Sequence, residues 1–512
     1  MLRIADYKND IIACLLAALF LLVPLSAGYQ LRGMGMDEGV LLVYPELVLK
    51  GKVPYRDFET FYGPANIYAL AGFYSLLGTD IDVERTVGLL YDLAILVAVY
   101  CVARRHGPII ATGCMLLAGY FMPVMPVGAF AWLGGIAFGL WSVWMGTTLK
   151  GRWPAFFTGL LAALALLYRP DLGPAVLVSA IPALMAMAGR ERLACGLGFG
   201  AGLIPLLWVA AVAGPLEVVN NLFLYPVVYC SSGRRLPIVG AEPWLIRLLA
   251  IHVAAAIFNV IAGILSIRAD RTSVQARRQL AVSLFALCIS HQALQRFDSV
   301  HVVFSCFLAI CILPMSIHSV MGRCFRRGEG RGWHALSVAI AAGLVIAAGP
   351  GLAAYFYNRV HAGLASENNA ALFISVNHRR YPLKPSNAVK VEMLLSVLNQ
   401  KSKAGERLFV GPTDLRRTNC VDSYLYYLMM PKLVPATYFL EMNALSANRP
   451  HSRLAADIAS ADWLILMHDW DEWYEPNDSS KYGSDAPNEV VKKEFYLYCN
   501  LENYDLYRKK AE

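Results

Sequence analysis

Residues 11–28 read IIACLLAALFLLVPLSAG, and shortly afterwards the chain reaches Met36-Asp37-Glu38-Gly39. The first stretch carries no charge and nears the about 20 apolar residues that a helix needs to cross a bilayer. Lys8 precedes it, and no small-residue cleavage site leading into a soluble domain follows, so it reads as an anchoring helix rather than a leader that is removed. The second stretch sets two carboxylates directly after an apolar span. Ionisable groups are costly at such a place and mark a task.

Working outward, the same apolar pattern recurs at Val83–Val102, Pro108–Met125, Phe130–Thr148, Pro154–Tyr168, Gly173–Ala188, Ala194–Ala213, Leu245–Ile267, Leu280–Ala293, His301–Val320 and Ala335–Phe356. That predicts a polytopic α-helical membrane protein of about eleven spans. The composition agrees: 57% of the 512 residues are hydrophobic and only 16% charged, against roughly 25% charged in a soluble protein. A disordered chain and a basic nucleic-acid binder are excluded on this ground, and the same figures argue strongly against a purely soluble enzyme.

The basic residues set the orientation. With Arg3 and Lys8 in the cytoplasm, the inner loops hold Arg104 and Arg105, Lys150 and Arg152, Arg190 and Arg192, Arg268 to Arg278, and Arg323 to Arg331. The outer loops hold little beyond Arg169, Arg234, Arg235 and Arg296. The net charge of +8 is therefore an anchor against anionic lipid. Residues 1–356 form the membrane module on this reading, with residues 29–82 as a long first outer loop. Residues 357–512 form an extracytoplasmic α/β domain, with a helix near Ala388–Gln400, strands at Arg407–Gly411 and Asp462–Met467, and a strand pair near Phe495–Tyr507. Most cysteines fall inside spans as small apolar residues. Cys420 and Cys499 in the tail suit either a disulfide or two buried thiols.

Four polar clusters fall on the outer face. Asp37 and Glu38 open an interfacial helix at about 38–50; Asp37 suits a proton-accepting base at a membrane cleft, and equally a helix N-cap. Residues 53–64, VPYRDFETFYGP, combine Tyr55, Arg56 and Tyr62 with two acids, and lead into a second interfacial helix at 65–78; they suit a cleft wall or an aromatic belt. Tyr168-Arg169-Pro170-Asp171 follows the fifth span, where an Arg/Asp pair suits a substrate group or a cap with a snorkelling arginine. Gln295-Arg296-Phe297-Asp298-Ser299-Val300-His301 packs Arg and His into one turn, which suits a phosphate clamp.

In this order the clusters resemble the GT-C superfamily of integral membrane glycosyltransferases. They are most similar to the branch containing protein O-mannosyltransferases and lipid A aminoarabinose transferases. A soluble far-side domain at the C-terminus is also similar in kind; the resemblance covers about residues 1–356 by topology, and the tail's own sequence has no match in it. The resemblance implies a sugar transfer from a polyprenyl-phosphate donor to a glycolipid, polysaccharide or protein. The expected setting is a bacterial inner membrane with a periplasmic face, and an endoplasmic reticulum membrane has the same logic; the net charge of +8 calls for no nucleic-acid partner. The resemblance further implies Asp37 as catalytic base, Glu38 as its neighbour in tuning or acceptor contact, and Asp171 as a second acid. Arg296 and His301 would bind the donor phosphate, with Arg169 and Arg56 as weaker candidates. Tyr55, Tyr62 and Asp298 would line the substrate cleft. Some relatives use a divalent metal; the scattered acids here define none. The competing reading is a transporter or flippase of lipid-linked saccharides, against which stand the odd span count and the lack of repeated halves with midplane sites.

Overall fold

A computed structural model describes residues 31–124, 127–324, 331–364, 371–418, 421–469 and 471–511, together with 8, 10–16, 18 and 28–29. Most of the first apolar stretch, and Cys420, lie outside the described residues. The chain divides into two compact units. They are not consecutive: the first joins Met1–Tyr29, Val87–Pro205 and Pro237–Asn368, and the second joins Gln30–Thr86, Leu206–Leu236 and Asn369–Glu512. Residues 30–86, expected as a long loop, and the tail thus belong to one folded unit.

The first unit is a helical bundle. Among the described residues, four helices that reach into it are long and apolar enough to cross a membrane: Ile81–His106, Gly189–Ala213, Pro243–Ala269 and Ser299–Arg323. A fifth candidate is the pair Gly332–Ala348 and Gly351–Asn358, bent by 97°. Three shorter apolar helices, Pro108–Val124, Arg152–Tyr168 and Pro170–Ala186, join them. Leu193, Leu197 and Ile204 are 60–66% exposed, an outward apolar face that only lipid accommodates. The chain is an integral membrane protein.

Small residues let the helices approach closely, as membrane bundles require. Gly159 and Gly198 face the backbone carbonyls of Cys195 and Phe156, and a Cβ on Gly139 would stand 2.6 Å from the Phe285 ring. Phe285, Phe304, Phe307 and Ile310 fill the core between these contacts.

The second unit carries two helices from residues 37–77 and the sheet. Asp37–Leu49 is a helix with both acids in its first turn, where the macrodipole favours them. Pro64–Leu77 follows, with Pro64 at its start and Gly78 (φ +89°) past its end, the usual asymmetry of helix ends. Helices are expected at about 38–50 and 65–78, and both are present. In the tail, β1 (Leu372–Val376) and β2 (Arg379–Leu383) form a hairpin whose turn residues, Asn377 and His378, both have positive φ, as a tight primed turn needs. A mixed sheet is ordered β4-β3-β5-β7-β6, from β3 (Arg407–Pro412), β4 (Val434–Pro435), β5 (Trp463–Met467), β6 (Phe495–Leu501) and β7 (Tyr504–Lys509). β3 runs parallel to β4 and β5, while β7 is antiparallel to β5 and β6. The expected strands at 407–411, 462–467 and 495–507 are all present. The helix expected near 388–400 runs from Pro385 to Lys401. Cys499 is a free thiol.

Glycines bring the loop and the tail together within this unit. A Cβ on Gly39 would strike the Tyr424 backbone nitrogen and lie 2.8 Å from the Ser423 carbonyl carbon. Gly35 meets the Asp422 carboxylate, and Gly33 meets the Tyr381 ring. Tyr381 in turn stacks on Tyr424, with centroids 4.4 Å apart.

Candidate functional site

In the second unit the helix from Asp37 directs three groups. Asp37 itself is half-exposed. It does not cap the helix: Met36 occupies the N-cap, and no side chain makes a cap hydrogen bond there. Glu38 is buried in a bidentate pair with Arg85, at 2.7 Å (Nε to Oε1) and 3.1 Å (Nη2 to Oε2). It also accepts from the Met34 backbone N–H at 3.1 Å and the Tyr381 hydroxyl at 3.5 Å, so its carboxylate is committed within the fold. Tyr44, two turns further along, is buried, its hydroxyl 2.9 Å from the Glu59 carbonyl oxygen and 3.1 Å from Glu441 Oε1.

Around Tyr44 the structure assembles residues that sequence spacing does not connect. Glu59 is 1% exposed. Its backbone N–H donates to the Tyr438 carbonyl at 2.8 Å, and its carboxylate accepts from Ser446 Oγ and from Asn443 Nδ2 at 3.2 Å. Asn443 Nδ2 also lies 3.1 Å from Glu441 Oε2, so one amide bridges the two buried acids. Burial pushes Glu59 up to about 7, opposed by the Ser446 and Asn443 hydrogen bonds and aided by the charge of Glu441. Burial also raises Glu441; the Asn443 and Tyr44 hydrogen bonds oppose it, the charge of Asp37 adds to it, and Arg234 lowers it. Asp37, Glu441 and Glu59 therefore form one acidic file with arginine beside it. Arg234 lies over the Phe61 ring at 5.5 Å and Arg449 over Tyr225 at 5.1 Å, and these two rings stack on each other at 6.3 Å.

The 53–62 segment supports this arrangement. Tyr55 adopts φ +71° and is buried. Its N–H donates to the Phe58 carbonyl and its hydroxyl to the Tyr62 carbonyl, both at 2.9 Å. Arg56 points outward, paired with Asp57 at 2.9 Å.

The first unit holds the other nominated residues in two groups. Asp171 accepts from Arg169 Nε at 3.0 Å and Nη2 at 2.8 Å, and from Gln292. The Nε2 of His291 lies 3.9 Å from the same carboxylate, and Arg169 lies over the Trp132 ring at 5.2 Å. In the second group, Asp298 caps the helix that starts at Ser299, accepting from the His301 N–H at 2.9 Å. It also pairs with the His301 ring (2.9 Å) and Arg296 Nε (2.9 Å). Burial acts to raise Asp298, but His301 and Arg296 overcome it and hold the group at about 2. Arg296 and His301 thus already grip one anion.

Sequence reasoning passed over Glu59, Tyr44, Arg234, Glu441, Asn443, Ser446 and Arg449. Glu59 stands inside the quoted 53–64 stretch, so the signal was on the page. His291 and Gln292, a polar pair at the end of an otherwise apolar stretch, carried one too. Nothing local marks the tail residues. Among the described residues, no group of three or more His, Cys, Asp or Glu side chains is arranged to hold a metal ion. The hydrogen bonds from Tyr44, Asn443 and Ser446 occupy Glu59 and Glu441, so these acids do not fit one.

No family model and no curated protein matches the sequence. The fold, however, is similar to that of ArnT from Cupriavidus metallidurans in the apo state, over 98% of both chains, with a TM-score of 0.56 and 14% identity. The same protein bound to undecaprenyl phosphate overlays at 0.46 with 12% identity over 98% of both chains. The oligosaccharyltransferase of Archaeoglobus fulgidus, in complex with zinc and sulfate, gives 0.46 at 10% identity, covering 98% of this chain and 73% of that one. The likeness that carries weight is the first of these: over nearly its whole length the chain has a fold similar to that of ArnT.

Proposed function

We propose that this chain is a membrane glycosyltransferase that moves a sugar from a polyprenyl-phosphate donor to an acceptor hydroxyl on the extracytoplasmic face. The observation that carries the reading is the full-length likeness to the ArnT fold, in a chain whose first outer loop presents a half-exposed carboxylate, Asp37, beside buried acids. On this reading about eleven spans set the tail outside the cytoplasm. The donor is lipid-borne because nucleotide sugars are absent from that face.

Asp37 takes the proton of the acceptor hydroxyl. The acceptor oxygen attacks the anomeric carbon, the bond from that carbon to the phosphate oxygen breaks, and the lipid phosphate leaves with the electron pair. The leaving phosphate gains negative charge, which Arg296 and His301 neutralise. An arginine does this without exchanging a proton. Arg169 and Arg56 are secondary candidates, Asp171 a second acid, and Tyr55, Tyr62 and Asp298 cleft residues. Glu38 contributes by fixing the start of the helix that carries Asp37.

The test uses Asp37→Asn and Arg296→Ala, both at normal membrane levels. Both lose the sugar from envelope glycans or glycolipids, with a fall of at least about a hundredfold for Asp37→Asn. Normal glycosylation in both variants overturns the reading. Lost export of a lipid-linked saccharide with intact transfer in vitro identifies a flippase instead.

A further inference from the structure

The acidic file beside Asp37 is built by the tail, a part of the chain that neither the sequence motifs nor the proposed reaction employs. Asp37 and Tyr44 are seven positions apart on one helix and share a face. Tyr44 reaches Glu441 at 3.1 Å, so the face that begins with Asp37 runs onto the tail segment 437–449. That segment is fixed at several points. Tyr438 accepts from the Glu59 N–H at 2.8 Å and donates its hydroxyl to the Tyr55 carbonyl at 2.7 Å. Asn443 bridges Glu441 and Glu59, Ser446 donates to Glu59, and Asn221 Nδ2 lies 3.2 Å from the Tyr438 hydroxyl.

We propose that Glu441 is a positioning residue for Asp37, through which the tail sets the charge that the catalytic base faces. This rests on the glycosyltransferase reading above. The groups around Glu441 are Asp37 and Tyr44 from the helix, Glu59 from the first outer loop, Arg234 from the segment before 236, and Asn443 from its own loop. Arg449 acts on Glu59, and Tyr62 on Tyr44. Glu441 is 7% exposed, so it is screened by little water and its influence on a neighbouring carboxylate is strong. A like charge makes a carboxylate hold its proton to higher pH. Removing that charge makes Asp37 a weaker base, deprotonated at lower pH.

The experiment uses the full chain in lipid nanodiscs with undecaprenyl-phosphate-linked mannose, glucose and aminoarabinose supplied in turn. Glu441→Gln moves the acid limb of the pH–rate profile down by at least about half a unit, with KM for the donor little changed, and Glu441→Asp moves it back. An unmoved limb, or a loss of rate equal at every pH, overturns the proposal. A second measurement needs no turnover. Difference infrared spectra identify the carboxyl band lost in Asp37→Asn, and that band titrates at lower pH in the Glu441→Gln background. A band that titrates at the same pH in both backgrounds refutes the coupling. Failure to consume any donor counts against the reaction and leaves the infrared result to decide the coupling.

Discussion

The buried pair of Glu38 and Arg85 gives a measurable cost. Their side chains are 2% and 1% exposed, so neither charge has bulk water to fall back on. Arg85→Met removes two charge-assisted hydrogen bonds, at 2.7 and 3.1 Å, each contributing about 1.5–3 kcal/mol. Glu38 keeps the Met34 N–H and the distant Tyr381 hydroxyl, which offset only part of the loss. Stranding one member of such a pair costs ~3–5 kcal/mol, and Arg85→Met falls in that range. Glu38→Gln costs less, about 2–3 kcal/mol, because an amide oxygen still accepts from the guanidinium and Arg85 retains the Leu31 carbonyl at 3.1 Å. The double variant Arg85→Met/Glu38→Gln destabilises by clearly less than the sum, with a coupling of at least about 2 kcal/mol. Denaturant-dependent unfolding of the purified protein in detergent measures all three. Single variants that each lose under about 1 kcal/mol, or losses that simply add, refute the argument that this pair fixes the helix carrying Asp37.

Two further outcomes follow from the geometry. Gly39→Ala forces a methyl against the Ser423–Tyr424 backbone and destabilises by ~1–3 kcal/mol, whereas Gly72→Ala, with nothing within 4 Å, is neutral or stabilises by up to about 1 kcal/mol; thermal unfolding of the two proteins side by side checks this. Asp298→Asn keeps a capping oxygen but removes the anion between Arg296 and His301, so the KM for a polyprenyl-phosphate donor falls several-fold; a rise in KM shows instead that Asp298 positions the clamp.

The apolar helices are readable in the sequence because lipid imposes one rule, long apolar runs with arginine at one end. Pro64 and Gly78 punctuate their helix visibly. The tail strands at 407–412 and 463–467 are buried parallel strands and read as short apolar runs, whereas the β1–β2 hairpin, whose turn is Asn377-His378 rather than a glycine pair, gave no such cue. The site divides the same way. Asp37, Asp171 and Arg296 stand out because each is charged beside an apolar run. Glu441, Asn443 and Ser446 occupy an ordinary polar loop, and their meeting with Glu59 depends on contacts between distant segments that no periodicity encodes. Asp37 also reads as an N-cap, but the helix begins through Met36, and no side chain caps it.

The hydrogen bond from Ser446 to Glu59 joins residues 387 positions apart, and this separation has a biosynthetic consequence. At about 5–20 residues per second, roughly 20–80 s pass between the synthesis of Glu59 and that of its partner. Throughout that interval residues 31–86 lack the segment that buries their acids, and Gly39 faces no Tyr424. Completion of this unit is therefore a late event of membrane biogenesis. A ribosome stalled before residue 437 leaves a nascent chain whose 31–86 segment is open and protease-sensitive, and mutations in the tail will register first as loss of order in that segment rather than as loss of the bundle.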